Sequence, residues 1–122
     1  MQHYGGTALQ QRMILGAVAK LQSEGWKNIK VDHLPWEGGR PAERNATVPD
    51  IEAERFGNYR LVEVETEDTY QDDKEHVAIL AEFADMHANF EFYIACPAEF
   101  QDKLRDSYEI DFNILPDGYY SL

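Results

Sequence analysis

Apolar residues fall at Leu9, Met13, Ile14, Ala17, Val18 and Leu21, a spacing that gathers them on one helical face, and Gly25 is a natural stop. The pattern predicts an amphipathic helix over residues 6–24. Residues 26–34, WKNIKVDHL, alternate loosely between apolar and polar positions and predict a strand. Residues 35–49 hold three prolines and two glycines and predict a loop. Two short alternating stretches follow, 50–56 and 59–66, and the Gly57-Asn58 pair between them tolerates the positive φ angles of a hairpin turn. Residues 69–88 open with acids and continue apolar at helical period, which predicts a helix capped by Asp68 or Thr69. Residues 90–96, FEFYIAC, predict a strand, 98–108 a short helix and 112–115 a last strand.

The order is thus α-β-β-β-α-β-α-β, without repeats or low-complexity segments. A hairpin followed by αβ crossovers implies an α/β fold: one mixed sheet with helices on both faces. A length of 122 residues suits a single domain, able to bury about two-thirds of the surface its unfolded chain exposes. A 43% hydrophobic content, with two Trp, seven Tyr and six Phe, supplies a real core.

Charge changes the picture more than composition does. Residues 1–60 carry 8 Lys/Arg against 7 Asp/Glu, whereas residues 61–122 carry 3 against 16, so the second half has a net charge of −13. Such a half repels polyanions, which argues against non-specific nucleic-acid binding by charge alone. The basic residues Lys27, Lys30, Arg40, Arg44, Arg55 and Arg60 flank the hairpin. No apolar run approaches the roughly 20 residues of a membrane span. MQHYGGTALQQRMILGAVAK has no charged leader before its apolar part, so no secretory signal is expected. The lone Cys96 excludes an internal disulfide framework and suits a reducing cytoplasm.

The hairpin, VPDIEAERFGNYRLVEVET, carries the candidate chemistry. Alternation puts Glu63 and Glu65 on one face of their strand and Val62 and Val64 on the other. Pro49 keeps the chain extended before Asp50, which starts the neighbouring strand. Three carboxylates at one sheet end form a hard oxygen site suited to Mg²⁺ or Mn²⁺, and a cation there relieves a repulsion that otherwise raises carboxylate pKa values.

The stretch Pro49-Asp50, a gap of twelve residues and Glu63-Val64-Glu65 resembles the PD-(D/E)xK nuclease superfamily, the restriction-endonuclease-like fold that includes archaeal Holliday-junction resolvases. Its element order α-β-β-β-α-β is similar over residues 6–96, and VPDIEAE…RLVEVET is similar to small prokaryotic members that carry EVET. The resemblance implies a Mg²⁺- or Mn²⁺-dependent nuclease acting on DNA, with Asp50 and Glu63 as metal ligands and the Val64 carbonyl completing the shell. The departure is Glu65, where most members have lysine; there it serves as base or further ligand. A second departure is the first helix, which offers Gln10, Gln11 and Gln22 where some members supply a glutamate. Lys74 is a substitute for the missing lysine. A chain this small implies a homodimer for cutting both strands of a duplex.

Other residues read more simply. His76 and His87 are eleven helical residues, about 16 Å, apart and cannot share an ion. His3 and His33 have no partner spacing and read as solvated or packing residues. Cys96 ends an apolar strand and reads as core. Gly5-Gly6 and Gly38-Gly39 lack phosphate-loop spacing. The acidic run 67–75 reads as a solvated helix start. Trp36 with Arg40 and Arg44 either contacts nucleic acid, by stacking and phosphate pairing, or covers the core with solvent-facing arginines. Besides a nuclease, two classes remain open: a catalytically inactive nuclease-fold module that binds nucleic acid or protein, and an unrelated α+β binding protein.

Overall fold

Thr7 caps the first helix by accepting the Gln10 N–H at 3.1 Å, and α1 (Ala8–Ser23) then turns Met13, Ile14, Ala17, Val18 and Leu21 inward. A computed structural model describes residues 7–122; His3 and the Gly5-Gly6 pair lie outside them. After α1 come β1 (Lys27–Val31), β2 (Ile51–Arg55), β3 (Asn58–Val64), α2 (Lys74–Met86), β4 (Phe90–Cys96), α3 (Gln101–Asp106) and β5 (Gly118–Ser121). A 3₁₀ turn, Ala98–Phe100, leads into α3, and a π turn, Ser107–Asp111, follows it.

The five strands form one sheet in chain order. β1, β2 and β3 pair antiparallel; β3 pairs parallel with β4 and β4 with β5, with α2 and α3 in the two connections. The architecture is the expected mixed α/β sheet, with β3 at its centre. Alternation along the strands feeds two cores. Ile51, Ala53, Val62, Val64 and Ala95 pack with α1 on one face. Leu61, Phe92, Ile94 and Cys96 pack with α2 and α3 on the other. Glu63 and Glu65, two and four residues after Leu61, therefore face the α2 side. Among the described residues, no helix is long and apolar enough to cross a membrane.

Three local expectations are corrected. The hairpin turn is Phe56-Gly57 rather than Gly57-Asn58: Arg55 pairs with Asn58, and both turn residues have positive φ, 52° and 78°. The second helix starts at Lys74, not Thr69, because threonine side chains compete for the preceding backbone. Thr66 N–H donates to Thr69 Oγ1 at 2.9 Å and Asp68 N–H to Thr66 Oγ1 at 3.2 Å, holding a turn where a helix was expected. Neither Asp68 nor Thr69 caps α2. Residues 112–115 are not a strand: Asn113 has φ 53°, and Ile114 N–H returns to the Tyr108 carbonyl at 2.8 Å. The last strand is β5, whose Tyr120 enters the α1-side core.

Candidate metal centre

The carboxyl end of β3 and the start of β2 lie side by side, because the hairpin register pairs Ile51 with Val62. Continued by two places, that register sets Pro49 opposite Val64. Proline has no N–H for the Val64 carbonyl. The Val64 N–H instead donates to Asp50 Oδ2 at 2.8 Å. Asp50 N–H in turn donates to Glu63 Oε1 at 2.8 Å. Pro49-Asp50 thus ends the ladder and ties both acidic positions together. Asp50 and Glu63 are each 4% exposed and Glu65 is fully buried, so all three acids are inside the protein.

Burying acids without cations raises their pKa values. Burial, then the charges of Asp50 and Glu65, hold Glu63 well above the usual carboxylate range. Burial, then a hydrogen bond with Asp73, push Glu65 up to about 10. Thr69 Oγ1 donates to Glu65 Oε2 at 3.1 Å, but apart from Asp73 no side-chain or backbone donor reaches the buried Glu65 Oε1. One ligand oxygen from each of Glu63, Glu65 and Asp73 lies within 4.8 Å of the others. At an effective dielectric of about 20, two charges 4.8 Å apart repel by about 3.5 kcal/mol, so full ionisation of the triad costs roughly 10 kcal/mol from mutual repulsion. It needs protons or a cation. Hard carboxylate oxygens, one of them orphaned, fit Mg²⁺ or Mn²⁺.

A cavity of about 460 Å³ opens beside these acids, with Asp50, Glu63 and Asp73 in its wall. Among the described residues that line it none is lysine or arginine; His33 and His76 are its basic groups. His33 Nε2 is 3.1 Å from Asp50 Oδ1 and 3.6 Å from Asp32 Oδ2. The hydrogen bond to Asp50 outweighs burial and raises the imidazole above its ordinary value. The residue occupies left-handed backbone, φ 69°, uncommon for a side chain of this size.

Sequence reading missed His33 and Asp73. His33 was expected to be solvated or packed, having no partner at metal-site spacing; its partner Asp50 is seventeen residues on and reaches it through the β1–β2 pairing, where Asp32 N–H donates to the Asp50 carbonyl at 2.8 Å. Asp73 belongs to the acidic run read as solvated, and Glu67, Asp68, Asp72 and Glu75 are indeed exposed. Asp73 alone among those five acids turns toward the sheet. In the sequence nothing sets it apart from its acidic neighbours; in the fold it occupies the N-cap position of α2 yet makes no capping hydrogen bond.

The other candidates sit elsewhere. Lys74 Nζ lies over the Phe112 ring, 4.5 Å from its centroid, so it does not stand in for a site lysine. Trp36 donates its indole N–H to the Ile29 carbonyl at 2.9 Å and packs against the α1-side core. Arg44 pairs with Glu52 at 2.6 Å and lies over Phe90, while Arg40 pairs with Asp32 at 2.8 Å. Arg60 is buried against Tyr93 and bonded to Tyr120, and Arg55 lies over Trp26. The basic residues around the hairpin are thus mostly engaged within the fold. His87 stacks on Phe83, as a packing histidine. Burial pushes the Cys96 thiol up to about 11, as suits a core cysteine. No protein-family model, curated protein or solved structure matches the chain.

Proposed function

We propose that the protein is a Mg²⁺- or Mn²⁺-dependent nuclease of the PD-(D/E)xK type that hydrolyses DNA phosphodiester bonds. The supporting observation is a set of acids at one sheet end beside an open cavity, Asp50, Glu63 and Glu65 buried and Asp73 half-buried, with no N–H or O–H donor from the rest of the chain reaching Glu65 Oε1. A fold seldom buries unpaired carboxylates unless something positive joins them. The element order α-β-β-β-α-β around that end is the one the resemblance implies.

A divalent cation bound by these acids supplies charge stabilisation at a phosphoryl group and lowers the pKa of a bound water. The chain's own residues do the rest. Asp50 positions Glu63 through its backbone N–H and holds His33 at the cavity wall. Water attacks phosphorus, one P–O bond breaks, and the cavity carboxylates accept the water's proton. His33, whose hydrogen bond to Asp50 favours the protonated form, donates to the departing oxygen. Its position compensates for the absence of lysine at residue 65. A phosphodiester in the cavity meets no arginine or lysine from the described lining, so His33 and His76 are the chain's own basic groups facing it, and a cation held by the acids would supply the rest of the positive charge. The single buried cysteine suits a cytoplasmic setting, and cutting both strands of a duplex calls for two copies of a chain this small.

Single-stranded, duplex and branched DNA incubated with Mg²⁺ or Mn²⁺ test the proposal. Cleavage is expected with metal only, faster with Mn²⁺, lost in Asp50→Ala and lowered about 100-fold or more in Glu65→Gln. A Glu65→Gln variant as active as wild type makes that residue a bystander. No cleavage of any substrate leaves the inactive interaction module as the better reading, which the glutamate at position 65 and the acidic second half favour.

A further inference from the structure

The geometry points to a divalent-cation seat formed by Glu63, Glu65 and Asp73, with Asp50 outside it as a positioning residue. It deepens the proposed function by placing the ion, and it differs from the ligand set that the sequence implies by taking Asp73 in place of Asp50. Three features carry it. The ligand oxygens of these three residues lie within 4.8 Å of one another. Oxygens bound to one octahedral Mg²⁺ at about 2.1 Å stand about 3.0 Å apart when adjacent and about 4.2 Å when opposite, so the triad closes on an ion by about 2 Å or less. Glu65 is fully buried, and no N–H or O–H donor from outside the triad reaches its Oε1, so only Asp73 is left to meet the carboxyl there. Asp73 holds the N-cap position of α2, where an aspartate ordinarily accepts a backbone N–H, yet its side chain makes no such bond.

Asp50, by contrast, is already committed. Its Oδ2 accepts the Val64 N–H at 2.8 Å and its Oδ1 faces His33 Nε2 at 3.1 Å. Both of its oxygens thus already face a partner, whereas Glu65 Oε1 accepts no N–H or O–H from outside the triad. An ion in the seat would also tie the end of β3 to the first residue before α2, across the turn that Thr66 and Thr69 hold together. The motif's second acid and its departure at position 65 would then work together, with a partner from an element the motif does not include.

Mn²⁺ binding to the full chain, followed without nucleic acid by calorimetry and by the manganese paramagnetic signal, decides the matter. One ion per chain is expected in wild type. Asp73→Asn and Glu65→Gln should each weaken it at least about tenfold. Asp50→Asn retains the backbone N–H that holds Glu63 and should weaken it less than either. Circular dichroism of each variant confirms that it is folded; for any variant that is not, Asp73→Ser or Asp50→Ser replaces it. Failure of wild type to bind Mn²⁺, or a larger loss in Asp50→Asn than in Asp73→Asn, overturns the seat. A chain that binds in the expected order but cleaves no DNA keeps the seat and loses the nuclease.

Discussion

Glu65 is the residue on which the site's energetics turn. Its carboxyl titrates near 4.5 when exposed and is pushed up to about 10 here, by burial first and Asp73 second. The folded protein therefore keeps a proton that the unfolded chain releases above about pH 4.5. Between that value and about 10, rising pH favours unfolding, by at most about 1.4 kcal/mol per pH unit from this group. Melting temperatures of metal-free protein from about pH 6 to about pH 9 should fall with pH through this contribution. Glu65→Gln, neutral throughout, should flatten the curve. Saturating Mg²⁺ should raise the wild-type values most at the alkaline end, because the ion binds the ionised acids. Parallel curves for wild type and Glu65→Gln would show that the buried carboxyl carries none of the pH dependence.

At the scale of elements, the β2–β3 hairpin carries a cost at one end and the site at the other. Both turn residues have positive φ, and the first of them is Phe56, 94% exposed. Such turns favour Asn-Gly, since asparagine tolerates left-handed backbone and phenylalanine gains nothing from a ring in water. Phe56→Asn should stabilise the protein by about 1 kcal/mol, read as a higher urea midpoint at unchanged slope. An unchanged or lowered midpoint would mean that the Phe56 ring has a partner at the turn. The one-residue misplacement of this turn in the sequence reading has the same origin, because Asn58 advertises a turn that the chain gives to a phenylalanine. The late start of α2 and the false strand at 112–115 are likewise local ambiguities. Threonine hydroxyls compete with the helix in the first case, and in the second a short apolar run carries no period of its own.

For the whole molecule, alternation and the hairpin were enough to locate the sheet, its two packed faces and the carboxylates at positions 50, 63 and 65. They could not supply His33 or Asp73, since both reach the site through contacts between elements: β1 beside β2, and the turn before α2 folding back over β3. The charge asymmetry of the chain also has a clearer sense in three dimensions. Most of the acidic run before α2 remains in solvent, and one member is drawn inward to join the two glutamates of β3. Such a cluster has its simplest physical sense as a seat for a cation. The most direct measurement is diffraction from crystals grown with Mn²⁺, collected where manganese scatters anomalously. One strong anomalous peak per chain is expected within coordination distance of Glu63, Glu65 and Asp73. A structure with no peak there, and with Glu65 and Asp73 sharing a proton in manganese-saturated solution, would contradict it.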